Sequence, residues 1–189
     1  MARWKPDAAQ RLMAAALELF EERGYESATV QEITERAGLT KSSFFRHFPN
    51  KREVLFDGEA MATTLVEGIA AAPDDAAPWD ALTHAFARVG AIFMTPQRHD
   101  FLARRAAVIA RTPELREREA LKQLGLIAAM IDALTHRSVP DLEARVLAEL
   151  SAVAFAIAYK RWLATTSSDN FADILRDAID EVRCVISTS

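Results

Sequence analysis

Hydroxyl and basic side chains are concentrated between residues 29 and 52, and these are the types that contact nucleic acid. From residue 36 to residue 52 the chain has no acidic residue and five basic ones: Arg36, Lys41, Arg46, Lys51 and Arg52. Lysine, arginine, serine and threonine bind phosphates, and several of them also reach base edges in the major groove. The stretch therefore predicts contact with DNA, although a helical hairpin with a solvated basic face would have the same composition.

Two short helices must position these side chains. Thr29 and Glu32 have the spacing of a capping box, in which each side chain satisfies a backbone amide at the helix start. Gly38 is the residue type that most readily takes the left-handed turn at a helix end. Thr40 is a good N-cap for a second helix, and Pro49 ends that helix. A helix, a short glycine turn and a second helix form the helix-turn-helix arrangement, whose second helix enters the major groove.

Residue patterns of enzymes and metal sites are not found in this sequence. The four histidines, His47, His84, His99 and His136, lack metal-ligand spacing. The sequence contains no glycine-rich phosphate loop and no nucleophile-elbow motif. We therefore expect no catalytic activity, no metal and no cofactor. A single cysteine, Cys184, excludes an internal disulfide and is typical of a cytoplasmic protein.

Charge and hydropathy suggest a globular protein with a locally basic region. The chain has 189 residues, half of them hydrophobic, and a net charge of −4. Residues 1–56 nevertheless carry 9 basic and 8 acidic side chains, so the acidic excess belongs to the remainder. DNA contact depends on the local field rather than on the total charge. The longest uncharged apolar run, residues 152–159, is too short to span a bilayer, and we expect no membrane association.

Helical periodicity continues through the whole chain, and no strand pattern is visible. The fold is therefore predicted to be all-α, with about nine helices. A three-helix DNA-binding domain is expected over residues 1–50, and a helical effector-binding and dimerisation domain over residues 51–189. The helices are predicted at residues 6–23, 29–37, 41–48, 51–71, 79–94, 99–111, 113–137, 140–164 and 170–186.

The first part of the chain resembles the TetR family of bacterial transcriptional regulators. The resemblance covers residues 10–52 and includes the pairs Gly24-Tyr25, Ala37-Gly38, His47-Phe48 and Asn50-Lys51. It implies that five residues face the DNA backbone, namely Thr29, Thr40, Phe45, His47 and Lys51. Another four would lie nearest to base edges: Lys41, Ser42, Ser43 and Arg46. The family often has tyrosine where this chain has Phe45, so the phosphate contact of that hydroxyl must be absent or supplied by a neighbour.

The resemblance also implies a small-molecule effector held by the middle helices. The expected pocket residues are Phe86, Val89, Phe93, Phe101, Arg104, Arg105, Val108, Leu124, Ile127 and Ile131. Residues 104–118 further resemble the C-terminal domain of mycofactocin-system regulators, which points to an acyl-coenzyme A or fatty acid. In that interpretation Arg104 and Arg105 grip the anionic head bidentately. Alternatively, the arginines pair with Glu114, Glu117 and Glu119, and the apolar residues are plain core.

The last two predicted helices have apolar residues on several faces and must be widely buried. Burial within one protomer would explain them. The family resemblance instead implies a homodimer, with Leu150, Phe155, Ile174, Ile179 and Val182 in the interface. The combined prediction is a dimeric repressor that binds a palindromic operator on double-stranded DNA and is released by a small amphipathic ligand. The alternative is a DNA-binding regulator whose second domain only dimerises or binds a protein partner.

Overall fold

The computed structural model describes residues 7–56, 59–165 and 169–187, and over these ranges the chain is helical without a strand. Nine α-helices are present in the described residues, which confirms the predicted all-α fold. They are α1 (Ala8–Arg23), α2 (Val30–Ala37), α3 (Lys41–His47), α4 (Ala60–Ala70), α5 (Pro78–Phe93), α6 (His99–Arg111), α7 (Pro113–His136), α8 (Asp141–Leu163) and α9 (Phe171–Ser187). Two 3-10 helices lie at Lys51–Leu55 and Pro96–Arg98. Pro6, the predicted start of the first helix, lies outside the described residues.

The predicted helix over residues 51–71 is wrong in its first part. Asn50 accepts a hydrogen bond from the Glu53 amide at 3.2 Å and so begins the 3-10 helix rather than an α-helix. Phe56 then adopts an extended backbone, with φ −114° and ψ 139°, and its ring is buried. Two guanidinium groups from distant positions, Arg105 and Arg118, pack over that ring, and the sequence pattern gave no sign of these contacts. The next α-helix of the described residues is α4, which begins at Ala60.

The chain divides into two compact units that differ from the expected domains 1–50 and 51–189. Unit 1 falls within Met1–Gly58 and Ala103–Glu119, and unit 2 within Glu59–Leu102 and Ala120–Ser189. The end of α6 and the start of α7 therefore belong with the helix-turn-helix. No periodicity in the sequence could have indicated this, because the grouping depends on contacts between residues far apart in the chain.

Unit 1 has a hydrophobic core between α1, α2 and α3. Its fully buried side chains include Leu12, Phe20, Ile33 and Phe44. Arg11, on α1, donates through one terminal nitrogen to the Ala37 carbonyl and, at 3.2 Å, to the Gly38 carbonyl. These acceptors are the unpaired groups at the end of α2. Arg11 thereby fastens the turn of the helix-turn-helix to α1.

Unit 2 is packed around α4, α5, α8 and α9, with aromatic rings in continuous contact. The rings of Phe86 and Phe155 are stacked, with centroids 4.9 Å apart. The Phe171 ring packs edge-on against Phe155, with centroids 5.6 Å apart. The packing requires glycine at Gly90, because a Cβ there would lie 2.7 Å from the Phe171 ring. In the described part of the chain, no helix combines the length and apolar character needed to cross a membrane.

Candidate DNA interface

The helix-turn-helix is held by local hydrogen bonds that follow from its sequence. The capping box is formed: the Thr29 hydroxyl accepts from the Glu32 amide at 3.2 Å, and the Glu32 carboxylate accepts from the Thr29 amide at 2.9 Å. Gly38 has φ 63° and ψ 41°, the left-handed conformation that ends α2. The Leu39 amide then donates to the Thr34 carbonyl at 2.8 Å, which closes the turn.

Helix α3 presents one polar face to solvent and buries the other. Thr40 begins the helix by accepting from the Ser43 amide at 3.1 Å, and Phe44 on the opposite side is fully buried. The exposed side chains are those of Lys41, Ser42, Phe45, Arg46 and His47, while Ser43 is half-buried. At about 100° per residue, Ser42 and Arg46 point most directly away from the buried Phe44. The arrangement suits a helix that inserts into a groove.

Lys51 has a structural position that the sequence did not indicate. Its ammonium group donates to the Tyr25 carbonyl at 2.8 Å and to the Ala28 carbonyl at 3.0 Å, and it lies 4.1 Å from the centroid of the Tyr25 ring. A lysine ammonium has only three protons. Lys51 therefore holds the segment between α1 and α2, and its contact with the DNA backbone stays a prediction.

Thr29, another predicted contact residue, and Arg36, one of the five basic residues of the region, also have protein partners. The Thr29 hydroxyl donates to Glu32 at 2.8 Å, so its proton is used within the capping box. Arg36 makes a bidentate pair with Glu22, at 2.7 and 2.8 Å, which reduces its contribution to the basic field. The positive charge of the exposed α3 surface therefore comes chiefly from Lys41 and Arg46.

Replacement of Lys51 by alanine is expected to lower stability more than it changes DNA specificity. The carbonyls of Tyr25 and Ala28 lose a charged donor. Each hydrogen bond to a charged group contributes about 1.5–3 kcal/mol to the free energy of unfolding. Urea unfolding followed by circular dichroism measures the loss. The matched control is Lys41→Ala on the exposed face, for which we expect unchanged unfolding and weaker DNA binding. A Lys51→Ala protein of wild-type stability would contradict this assignment.

Four arginines of residues 104–118 contact α1 or the 3-10 helix at Lys51–Leu55, all within unit 1. Arg104 donates to the Glu21 carboxylate at 3.0 Å, Arg111 to the Phe20 carbonyl at 3.3 Å, and Arg118 to the Glu53 carboxylate at 2.6 Å. Together with Arg105 we call them the arginine cluster. The hydrogen bond from Arg104 holds the pKa of Glu21 below its usual value. The stabilisation from the Arg104–Glu21 pair is therefore present above the ordinary glutamate pKa. It is lost as the pH falls through the lowered pKa of Glu21.

Arg105 is the buried member of the arginine cluster. Its Nε donates to the Leu55 carbonyl at 2.6 Å, and a terminal nitrogen donates to Glu119 at 2.8 Å. Its guanidinium carbon lies 4.8 Å from the centroid of the Phe56 ring. Arg104 and Arg105 are thus committed to unit 1, which corrects the prediction that they grip the head of an effector. For Arg105, the alternative pairing with Glu119 is the one found.

The other expected pocket residues are divided between the units. Phe86, Val89 and Phe93 are buried in the core of unit 2, and the side chains packed partly buried against that core include Phe101, Ile127 and Ile131. Val108 is buried but lies in unit 1. Leu124 is 60% exposed, so the structure does not place it in the core. Six of the ten residues are therefore brought together around one apolar core.

The expected interface residues on α8 and α9 have mixed positions. Phe155 packs on Phe86, and Ile179 is buried in the core of unit 2. Both residues contribute to the core of the protomer, and their place in a dimer interface stays a prediction. Leu150, Ile174 and Val182 are half-buried. Among the residues of the two helices whose burial is described, the exposed large hydrophobic side chains are Leu142, Val146, Val153 and Val185.

The sequence did not indicate the long-range hydrogen bonds that hold the candidate DNA interface in place within unit 1. Arg11, Glu21 and Glu53 have hydrogen-bond partners that lie 26, 83 and 65 residues away in the chain, and only their charge could have suggested them. Burial and a hydrogen bond with Glu114 raise the pKa of Tyr25, which adds another contact from α7. Over the described ranges, no group of three or more histidine, cysteine, aspartate or glutamate side chains could hold a metal ion.

Two family models match the chain and together cover most of it. Residues 12–57 match the model described as bacterial regulatory proteins, tetR family. Residues 76–186, more than half of the chain, match the model described as the MftR C-terminal domain. The second match includes the segment that carries the arginine cluster.

Individual relatives agree with these models. The transcriptional repressor AcnR of Corynebacterium diphtheriae is 31% identical, over 66% of this chain and 62% of AcnR. The chain thus covers less than two thirds of the length of the curated relatives it matches. FadR of Thermus thermophilus, solved with lauroyl-CoA, is 24% identical over 92% of each chain, with a TM-score of 0.57. The SmeT–triclosan complex is 20% identical, over 94% of this chain and 90% of SmeT, with a TM-score of 0.61. These two likenesses establish the fold.

Proposed function

Because the chain belongs to the TetR family of bacterial regulatory proteins, with an MftR-type C-terminal domain, we propose that it is a dimeric cytoplasmic repressor released from its operator by an amphipathic ligand. The observation that carries the DNA-binding part is helix α3. Its cap is formed, its hydrophobic side is buried, and its outer face presents Lys41, Ser42 and Arg46. Such a helix has side chains for both phosphates and base edges.

The dimer follows from the geometry of operators that contain two half-sites. A helix-turn-helix dimer reads half-sites about 34–36 Å apart, so a palindromic operator requires two copies of α3. On α8 an exposed apolar stripe of Leu142, Val146 and Val153 recurs at spacings of four and seven residues. Ala144, Ala148 and Trp162 lie on the opposite, buried face of the same helix. The stripe supports a helix-to-helix contact with a second copy.

The ligand class is proposed from the apolar side chains of unit 2 and from the neighbouring structures. Phe101, Ile127 and Ile131 are partly buried against its core and could contact a hydrocarbon chain. FadR was solved with lauroyl-CoA, and SmeT with triclosan. We propose that an acyl-coenzyme A or fatty acid is the effector of this chain. The proposal does not require Arg104 or Arg105, since both have partners in unit 1.

Titration of lauroyl-CoA into a complex of the full chain with DNA selected from a random library tests this function. We expect operator affinity to fall by about 5- to 150-fold, the usual range of coupling between two sites. Coenzyme A without an acyl group is the control and should leave the complex intact. Release by triclosan with no effect of lauroyl-CoA or laurate would contradict the acyl ligand. Failure to select any DNA sequence would contradict the regulator itself.

The packing of unit 2 favours a second candidate, in which the C-terminal domain only dimerises or binds a protein partner. Gly90 lies directly against Phe171, and Phe86 stacks on Phe155, so this part of the core is already filled by side chains. A complex with DNA that responds to none of the small molecules would favour this candidate. The family consists of transcriptional regulators in either case, and neither candidate includes catalysis.

A further inference from the structure

Phe45 is an apolar side chain on an otherwise polar DNA-facing helix. Its side chain is 55% exposed, and no other large hydrophobic residue among the described residues of unit 1 is exposed. Its ring meets the fully buried Phe44 edge-on, with centroids 5.4 Å apart and an interplanar angle of 79°. One side of the Phe45 ring is thus supported by the core, and the remainder faces solvent. The contact gives the exposed ring a fixed neighbour within the protein.

The position of Phe45 on α3 places it among the residues nearest to base edges. Phe45 lies three residues after Ser42 and four after Lys41, so all three share a side of the helix. At about 100° per residue, Phe45 is about 60° from Ser42 and about 100° from Arg46. These neighbours are exposed, whereas Phe44 points into the core. The location lets Phe45 approach base edges as well as the DNA backbone, which is where the family resemblance places it.

The chemistry of the ring restricts what it can recognise. Phenylalanine has no hydrogen-bonding group, so it cannot bind a phosphate oxygen or the polar edge of a base. The apolar group that the major groove offers is the 5-methyl group of thymine. Since the neighbouring Lys41, Ser42 and Arg46 are polar, Phe45 is the exposed α3 side chain suited to this methyl group.

We infer that Phe45 determines operator specificity by contacting the 5-methyl group of one thymine in each half-site. The inference rests on the DNA interface proposed above and adds a recognition element to it. It predicts that the operator requires thymine at that position because of its methyl group rather than because of its hydrogen-bonding pattern. Uracil has the same hydrogen-bonding groups as thymine and lacks the methyl group, so it isolates the contact.

The test begins with an operator selected from random-sequence DNA by the full-length wild-type protein. Each thymine is then replaced singly by deoxyuridine, and affinities are measured for wild type, Phe45→Ala and Phe45→Tyr at one salt concentration. We expect one symmetric position at which deoxyuridine weakens wild-type binding about fourfold, as for one buried carbon group worth about 0.8 kcal/mol. The same replacement should leave Phe45→Ala binding unchanged. Phe45→Tyr, which keeps the ring, should retain part of the effect.

Several results would overturn the inference. Deoxyuridine could weaken wild type at no position, which would leave the ring against the deoxyribose. It could weaken wild type and Phe45→Ala equally, which would assign the methyl contact to another residue. If the wild-type protein selects no sequence, DNA recognition itself fails and the inference fails with it. Ser42→Ala is the matched control: it should change the preferred sequence while the deoxyuridine effect remains. Circular dichroism checks that each variant is folded.

Discussion

Replacement of Arg105 by methionine is expected to lower the free energy of unfolding by about 3 kcal/mol, the lower end of the cost of breaking a buried ion pair. The side chain is 8% exposed and holds two acceptors, the Leu55 carbonyl and the Glu119 carboxylate. Methionine fills much of the volume but donates no hydrogen bond, so both acceptors lose their charged partner. For a chain of this length, the melting temperature should fall by about 6–12 °C.

Arg116→Met is the matched control for this prediction. Arg116 belongs to the same unit and is exposed on α7, so its replacement makes the same change of charge and shape at the surface. We expect its unfolding free energy to stay within about 0.5 kcal/mol of the wild-type value. Urea unfolding followed by circular dichroism measures both variants. Equal stability of the two variants would show that the buried contacts of Arg105 contribute nothing.

Replacement of Val153 by aspartate is expected to raise the dissociation constant of the proposed dimer by at least about 100-fold. Val153 is 50% exposed in the protomer, so the charge remains hydrated and the protomer should fold. In the dimer, the same carboxylate would be buried against an apolar surface, at a cost of several kcal/mol, about 3 or more. Sedimentation velocity over a range of protein concentrations measures the constant.

The control substitution is Val66→Asp, an identical change at another exposed valine of unit 2. It should leave the dimer intact, because Val66 lies on α4 and not on the α8 stripe. A Val153→Asp protein that dimerises like the wild type would place the interface elsewhere. Phe155→Asp is a poor test of dimerisation, since Phe155 stacks on Phe86 and its replacement would also disturb the core of unit 2.

The sequence alone determined the local features of this protein. The capping box of Thr29 and Glu32, the left-handed Gly38 and the Thr40 cap are all found as expected. These features depend on residues within a few positions of each other, and short-range hydrogen bonds do not need the rest of the fold. The all-α class and the helix-turn-helix were predictable for the same reason.

Only the tertiary structure decided which charged residues have hydrogen-bond partners within the protein and which apolar residues are buried. Lys51 and Arg105 have the residue types of anion-binding side chains, but carbonyls and carboxylates distant in the chain use their protons. Likewise, α8 is apolar on several sides, and its sequence could not separate the side of the buried Ala154 and Ala158 from the exposed Val153 side. Periodicity gives the angle between two side chains on a helix, whereas burial depends on which other helices pack against each face.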